Sequence, residues 1–211
     1  MAKPDKNLSE WIDELDDSEL MAISLGELIE TRAAESPDTE ALVYSNQPGV
    51  DNIRWTYKDL NEMSTNLAKA FLDVGFKPGD TVGVWGPNHP EWILSEYALA
   101  KAGLRIVTLN PLYKDQELIF ALNTVSAVAI LHAEAIGEIK CLDVINKIKN
   151  EIPSLKHNYS FDDGLKNLIK EGRCSNSLLP SVDPNDIFMI QYTSGTTGVP
   201  KAAQMTHQSL I

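Results

Sequence analysis

The sequence predicts an α/β fold in which helices cover both faces of a mostly parallel sheet. Short apolar runs, typical of buried strands, alternate with helical stretches from residue 81 onward. Glycine and proline mark many of the junctions between them. Strands and helices that alternate at this spacing imply right-handed crossovers and a sheet covered on both sides. A small hairpin and helix region is predicted ahead of this unit.

The region before residue 81 contains the predicted hairpin and two helices. The first 22 residues form an acidic tail or a surface helix, and residues 23–211 form part of one domain. Ser24 and Glu27 have the spacing of a capping box, which begins a helix that Pro37 stops after residue 35. Strands at 41–45 and 53–55 then flank a turn, as in an antiparallel hairpin.

A long helix follows the hairpin. Thr56 caps its start and Gly75 ends it. Its apolar residues recur at helical spacing, which predicts one buried face. These residues are Leu60, Met63, Leu67, Phe71 and Val74.

The remaining elements make up the main sheet and its helices. Strands are predicted at 81–85, 104–109, 127–131, 155–161 and 187–190. Helices are predicted between residues 90 and 101, and at 114–123, 133–151 and 162–171. A polar surface loop occupies 172–184, and the last residues before Ile211 are predicted to begin a helix.

Composition excludes several functional classes. The chain of 211 residues carries a formal net charge of −12, which disfavours a nucleic-acid surface or an anionic membrane as partner. No apolar run reaches the roughly 20 residues that a membrane span needs. The first residues lack an apolar signal core and are too acidic for a transit peptide, so a cytoplasmic location is predicted.

Four residues with reactive or polar side chains are predicted to be structural. His89 lies between two prolines without a carboxylate partner at a suggestive spacing, and is interpreted as a loop histidine. Asn110 is predicted to turn the chain before Pro111. Cys141 and Cys174 are too few and too isolated for a metal site or a disulfide framework, so no metal site is predicted.

The stretch 192–201, YTSGTTGVPK, has the chemistry of a polyphosphate site. An apolar run, 187–190, precedes it, and small hydroxyl and glycine residues follow that run. Backbone N–H groups near Gly195 and Gly198 can approach an anion closely, while neighbouring hydroxyls donate to phosphate oxygens. Lys201 adds a positive charge in an acidic protein.

Two other interpretations of this stretch were considered. A P-loop requires Gly, four residues and then Gly-Lys-Ser/Thr, whereas Val199 and Pro200 separate the last glycine from Lys201 here. A solvated linker rich in Gly, Ser and Thr is the second alternative. Such linkers seldom follow an apolar strand so closely or end in Pro-Lys, which favours the phosphate site.

Residues 192–201 resemble the phosphate-loop signature of the acyl-adenylate-forming enzymes, with Ala202 where that family usually has glycine. Residues 205–210 resemble the family's Thr-His-x-Asn-Leu continuation, with Ser209 in place of asparagine. A second segment, 85–113, resembles the medium-chain fatty acyl-CoA synthetase branch. The resemblance implies the N-terminal part of the adenylate-forming enzyme fold.

The resemblance also implies a reaction and its site. A carboxylic acid, a medium-chain fatty acid in this branch, attacks the α-phosphorus of ATP, pyrophosphate leaves, and the acyl adenylate forms a thioester with coenzyme A. Mg²⁺ and the hydroxyl-rich loop hold the departing phosphates, with Lys201 and Thr196 as catalytic residues. The implied phosphate cradle consists of Thr193, Ser194, Gly195, Thr196, Thr197, Gly198 and Lys201.

The resemblance covers only the N-terminal part of the family's length. The adenine-binding motif, the ribose-binding aspartate, the acyl pocket and the C-terminal catalytic lysine of the family are expected beyond residue 211. The chain is therefore expected to be inactive alone and prone to self-association through open strand edges. A non-catalytic ATP- or phosphate-binding module, or a truncated regulatory partner of the full-length enzyme, is the alternative. The resemblance leaves the mitochondrial matrix as an alternative location.

Overall fold

The computed structural model describes residues 21–45, 52–193 and 200–211. Within these ranges there are six helices: α1 (Leu25–Glu35), α2 (Tyr57–Val74), α3 (Pro90–Lys101), α4 (Asp115–Thr124), α5 (Cys141–Ile148) and α6 (Asp163–Gly172). The strands are β1 (Glu40–Tyr44), β2 (Ile53–Thr56), β3 (Thr81–Trp85), β4 (Arg105–Leu109), β5 (Ala129–His132), β6 (Ala135–Ile136), β7 (Ile139–Lys140), β8 (His157–Ser160), β9 (Ile187–Thr193) and β10 (Lys201–Thr206). Short 3₁₀ turns follow α5 and β10.

The main sheet has six strands in the order β10-β9-β4-β3-β5-β8. All neighbouring pairs are parallel except β9 and β10. Right-handed crossovers along this order place α3 and α6 on one face and α4 and α5 on the other. The contacts between helices agree with this division into two faces, because α2 packs against α3 and α6, whereas α4 packs against α5. The predicted α/β fold is confirmed.

Local sequence signals specify the helix ends as predicted. The Ser24 hydroxyl accepts the Glu27 N–H at 3.2 Å, and the Glu27 carboxylate accepts the Ser24 N–H at 2.7 Å. Thr56 and Asp59 form the same reciprocal pair at the start of α2. Gly75 ends α2 with a left-handed φ of 104°, which glycine adopts without steric cost.

The predicted apolar face of α2 lies in the core. Leu60, Leu67 and Phe71 are buried, and Phe71 stacks on Phe76 with ring centroids 5.6 Å apart. The α1–α2–α3 layer also contains a buried lysine. The Lys101 ammonium lies 3.2 Å from a Glu30 carboxylate oxygen and donates to side-chain oxygens of α2. Burial lowers the pKa of Lys101, and this network offsets part of the cost of burying its charge.

Two predictions about secondary structure were wrong. The helix expected at 133–151 is instead the β6–β7 hairpin followed by the shorter α5. Gly137 has a φ of 60° in the two-residue turn that joins Ile136 to Ile139, as a type II′ turn requires. The other wrong prediction is the final helix, because only a 3₁₀ turn at Gln208–Leu210 is present there. In addition, the strand β10 was not predicted from the sequence.

Candidate functional site

The hairpin of β9 and β10 brings together the two ends of the stretch 192–201. Thr193 is the last residue of β9 and Lys201 the first of β10, and the two are register partners. Both residues are exposed at the carboxyl edge of the parallel strands. Ligands of open α/β sheets bind at this edge. Five predicted cradle residues lie outside the described residues: Ser194, Gly195, Thr196, Thr197 and Gly198.

Contacts to α4 fix the end of β9. The Tyr192 hydroxyl donates to the Ala121 carbonyl at 2.7 Å, and its ring lies 6.2 Å from that of Phe120. Burial is the main cause that raises the pKa of Tyr192, so its hydroxyl stays protonated and keeps this bond at neutral pH. The position of Thr193 is therefore set by strand pairing on one side and by α4 on the other.

A polar cavity of about 430 Å³ opens at the ends of β4 and β9, where Tyr192, the residue before Thr193, lines it. Thr108 and Gln191 contribute a hydroxyl and an amide to its lining. Asn110 turns the chain there as predicted, because its side-chain oxygen accepts the Leu112 N–H at 2.9 Å. These uncharged groups suit polar parts of a ligand, whereas Lys201 provides a positive charge. In the described part of the chain, no carboxylate lies within 4.0 Å of the Lys201 ammonium.

His207 connects the far end of this hairpin to α1. Its ring is buried and stacks on Phe188 of β9 with centroids 4.6 Å apart. Its Nδ1 accepts the Leu25 N–H at 3.3 Å, which satisfies one of the open donors at the start of α1. Nδ1 must therefore be unprotonated in the folded protein. Burial is the main cause that lowers the pKa of His207, although Asp186 and Glu27 oppose it.

We expect the free energy of unfolding to fall as the pH drops below about 6.5, the pKa of an unfolded histidine. The folded pKa of His207 is lowered, so its contribution is complete above that pH and is lost as the pH falls through the folded value. In His207→Gln, the glutamine keeps an acceptor for the Leu25 N–H but does not titrate. The free energy of unfolding of this variant should therefore depend less on pH than that of the wild type. Urea unfolding between about pH 8 and about pH 5 measures the effect.

A second buried histidine, His132, should preserve some pH dependence of stability in the His207→Gln variant. Burial also lowers the pKa of His132, which remains in the wild type and in the variant. Some dependence on pH should therefore persist in His207→Gln. An identical slope in the two proteins would contradict the role given to His207.

Sequence reasoning missed the environment of His89. The residue is the N-cap of α3, and its Nδ1 lies 2.5 Å from the Glu91 carboxylate. The expectation that His89 has no carboxylate partner was therefore wrong, although the residue does lie in the loop that precedes α3. The two-residue spacing to Glu91 was visible in the sequence, but the burial of that carboxylate was not. Cys141 and Cys174 are free thiols, and burial is the main cause that raises the pKa of the Cys141 thiol to about 11.

Comparison with known proteins identifies the family. A family model described as "AMP-binding enzyme" matches residues 29–211, which is most of the chain and includes both ends of the predicted phosphate loop. The chain belongs to the AMP-binding enzyme family. The predicted resemblance to adenylate-forming enzymes is confirmed.

Two curated relatives and one solved structure illustrate what this AMP-binding chain is similar to. It is 29% identical over 223 residues to the mitochondrial medium-chain acyl-CoA ligase ACSF2 of Mus musculus, covering 92% of this chain and 35% of that protein. It is 30% identical to the putative acyl-CoA synthetase YngI of Bacillus subtilis, covering 92% and 39%. The N-terminal domain of FACL13 from Mycobacterium tuberculosis superposes with a TM-score of 0.73 at 27% identity, covering 88% and 44%.

These alignments also show how much of the family's length is present. The chain spans little more than a third of the two curated relatives. Among the helices of the described ranges, none combines the length and apolar character that crossing a bilayer requires. The described side chains likewise contain no group of three or more His, Cys, Asp or Glu that could hold a metal ion.

Proposed function

We propose that this chain is the N-terminal part of an ATP-dependent acyl-CoA synthetase and that its β9–β10 hairpin holds the phosphates of ATP. In the complete reaction, a carboxylate displaces pyrophosphate from ATP, and the acyl adenylate then forms a thioester with coenzyme A. The observation that carries this proposal is the register pairing of Thr193 with Lys201 at the carboxyl edge of the sheet, in a chain of the AMP-binding family.

Each part of the proposed site has a separate task. Lys201 and Thr196 act as catalytic residues that stabilise charge on the departing phosphates. Backbone N–H groups at Gly195 and Gly198, together with the hydroxyls of the loop, position the phosphate oxygens. Mg²⁺ enters as part of the ATP complex, bound to phosphate oxygens, which requires no cluster of protein carboxylates.

The name of one relative supports a proposal for the substrate class. ACSF2 of Mus musculus is named a medium-chain acyl-CoA ligase, and we propose a medium-chain fatty acid as the substrate here. The chain alone is proposed to bind ATP without turnover, because it spans only about a third of that relative. The proposal retains two further predictions: a cytoplasmic location, with the mitochondrial matrix as the alternative, and self-association through open strand edges.

The phosphate loop is tested by ATP binding. Lys201→Ala should weaken the binding of MgATP by about tenfold or more, because a charge-assisted contact is lost. Isothermal titration calorimetry measures this effect in the chain itself. Lys170→Ala is the matched control, since Lys170 is exposed on α6 and lies outside the hairpin. Equal affinities for the wild type and Lys201→Ala would contradict the phosphate site.

Catalysis is tested in a fusion of residues 1–211 with the C-terminal remainder of the Bacillus subtilis relative. Octanoate-dependent exchange of pyrophosphate into ATP should appear in the fusion but not in the chain alone. Lys201→Ala combined with Thr196→Ala should lower that exchange by about a hundredfold or more. ATP binding by the chain, without exchange in the folded fusion, would instead support the non-catalytic module.

A further inference from the structure

A second candidate site lies at the carboxyl end of β3, away from the phosphate loop. A cleft of about 490 Å³ opens between β1, the loop from β3 to α3, and the first turn of α3. Its volume falls in the range of small-molecule sites. Its walls are mostly apolar and aromatic, and they include Val43, Tyr44, Pro87, Trp92 and Ile93. Pro111 lines both this cleft and the polar cavity at the ends of β4 and β9, so the two cavities are neighbours.

His89 and Tyr44 are the titratable side chains among the described residues that line this cleft. The Tyr44 hydroxyl is already used, since it donates to the Asn88 carbonyl at 3.1 Å. The His89 ring is held between Tyr44 and Phe161, with centroid distances of 6.0 Å and 5.4 Å. Among its described lining residues, the cleft therefore offers a ligand one imidazole, held in a fixed orientation.

The buried carboxylate of Glu91 determines which nitrogen of His89 is available. Glu91 Oε2 lies 2.5 Å from His89 Nδ1, and its side chain is only 9% exposed. Within the described part of the chain, neither atom has another hydrogen-bond partner. Two unprotonated atoms at this distance would repel, so we assign the proton of the neutral ring to Nδ1. Nε2 then carries the free lone pair, and 25% of the His89 side chain is open.

A carboxylate behind an imidazole also stabilises the positive charge that forms when Nε2 takes up a proton. In addition, the amino end of α3 begins at His89, where the helix dipole favours a negative ligand group. The His89 side chain does not cap this helix end itself. A ligand with an anionic group and an apolar body therefore matches both the His89 end of the cleft and its apolar walls.

We propose that this cleft binds a monocarboxylic acid with an apolar chain, whose carboxyl group contacts His89 Nε2. The acid is already ionised in neutral solution, so its binding takes up one proton from the solvent, and that proton forms the N–H bond at Nε2. The carboxylate then pairs with the imidazolium, which Glu91 supports from the opposite side of the ring. The apolar chain lies against Trp92 and Ile93. This site binds the same class of molecule as the proposed reaction, but it does not involve the phosphate loop.

The experiment uses octanoic acid as the probe and 1-octanol as its uncharged counterpart. Neither ATP nor Mg²⁺ is present. In the chain labelled with ¹⁵N-histidine, octanoic acid should shift both ring nitrogens of His89 to the imidazolium positions. Calorimetry should show that 1-octanol binds at least about tenfold more weakly, because it is uncharged and forms no ion pair with His89.

Two variants test the contributions of His89 and Glu91 to binding separately. His89→Gln and Glu91→Gln should each weaken octanoic acid binding by about tenfold or more. Glu96→Gln is the matched control, since Glu96 lies on the same helix but does not line the cleft. It should bind octanoic acid like the wild type. Glu91→Gln keeps the side-chain shape, and circular dichroism checks the fold of every variant.

Unmoved His89 signals, or wild-type affinity in Glu91→Gln, would overturn the proposal. Equal affinities for octanoic acid and 1-octanol would show that only apolar contacts hold the ligand, which would also overturn the proposal. If His89→Gln fails to fold, the comparison of octanoic acid with 1-octanol in the wild type still tests the proposal. Lys201→Ala should leave octanoic acid binding unchanged. The proposals for the cleft and for the phosphate loop can therefore be refuted independently.

Discussion

Phe71→Ala is expected to lower the free energy of unfolding by about 3–5 kcal/mol. Phe71 is fully buried at the centre of the apolar face of α2, and its ring stacks on Phe76 at 5.6 Å. Truncation removes the transfer free energy of the ring and leaves a cavity that rigid neighbouring helices fill only in part. A domain of this kind has a total stability of about 5–15 kcal/mol, so the loss is a large share of it.

Chemical denaturation at neutral pH, followed by circular dichroism, measures this loss. Phe120→Ala provides the matched control, because Phe120 is 40% exposed and loses less buried area. Its cost should be less than half that of Phe71→Ala. Similar costs for the two substitutions would contradict the assignment of the α2 face to the core.

Gly172→Ala is expected to destabilise the protein, although alanine is the better helix former. Intrinsic propensity favours alanine by about 1 kcal/mol in a helix. However, a Cβ atom on Gly172 would lie 1.8 Å from the carbonyl oxygen of Asn66 in α2. Backbone atoms cannot rotate away, so α2 and α6 must separate. The expected cost of this overpacking is about 3 kcal/mol or more, which exceeds the gain from propensity.

Lys170→Ala is the control for this second prediction. Lys170 is exposed on the same helix, and its replacement should change stability by less than about 0.5 kcal/mol. Thermal unfolding monitored by circular dichroism compares the two variants with the wild type. A gain in stability for Gly172→Ala would show that α2 and α6 do not pack as closely as the structure has them.

The candidate site combines predictable and unpredictable parts. The residues of the phosphate stretch were identified from their chemistry and spacing, because hydroxyls, glycines and a lysine in that order are unusual. The strand β10 was not predicted, so the sequence did not show that Lys201 pairs with Thr193. Ala202 and Ala203 have little preference for strands, and their conformation depends on pairing with β9.

The sequence alone determined most helix ends and the order of most strands and helices, but not the β6–β7 hairpin or β10. Ser24, Thr56 and Gly75 act through hydrogen bonds and φ angles within a few residues, so their roles are visible in short segments. Only the tertiary structure decided which polar groups are buried and which backbones touch. The contact of His207 with Leu25 spans 182 positions, and Gly172 meets Asn66 across two helices. Such contacts depend on how the elements pack, and no local pattern encodes that packing.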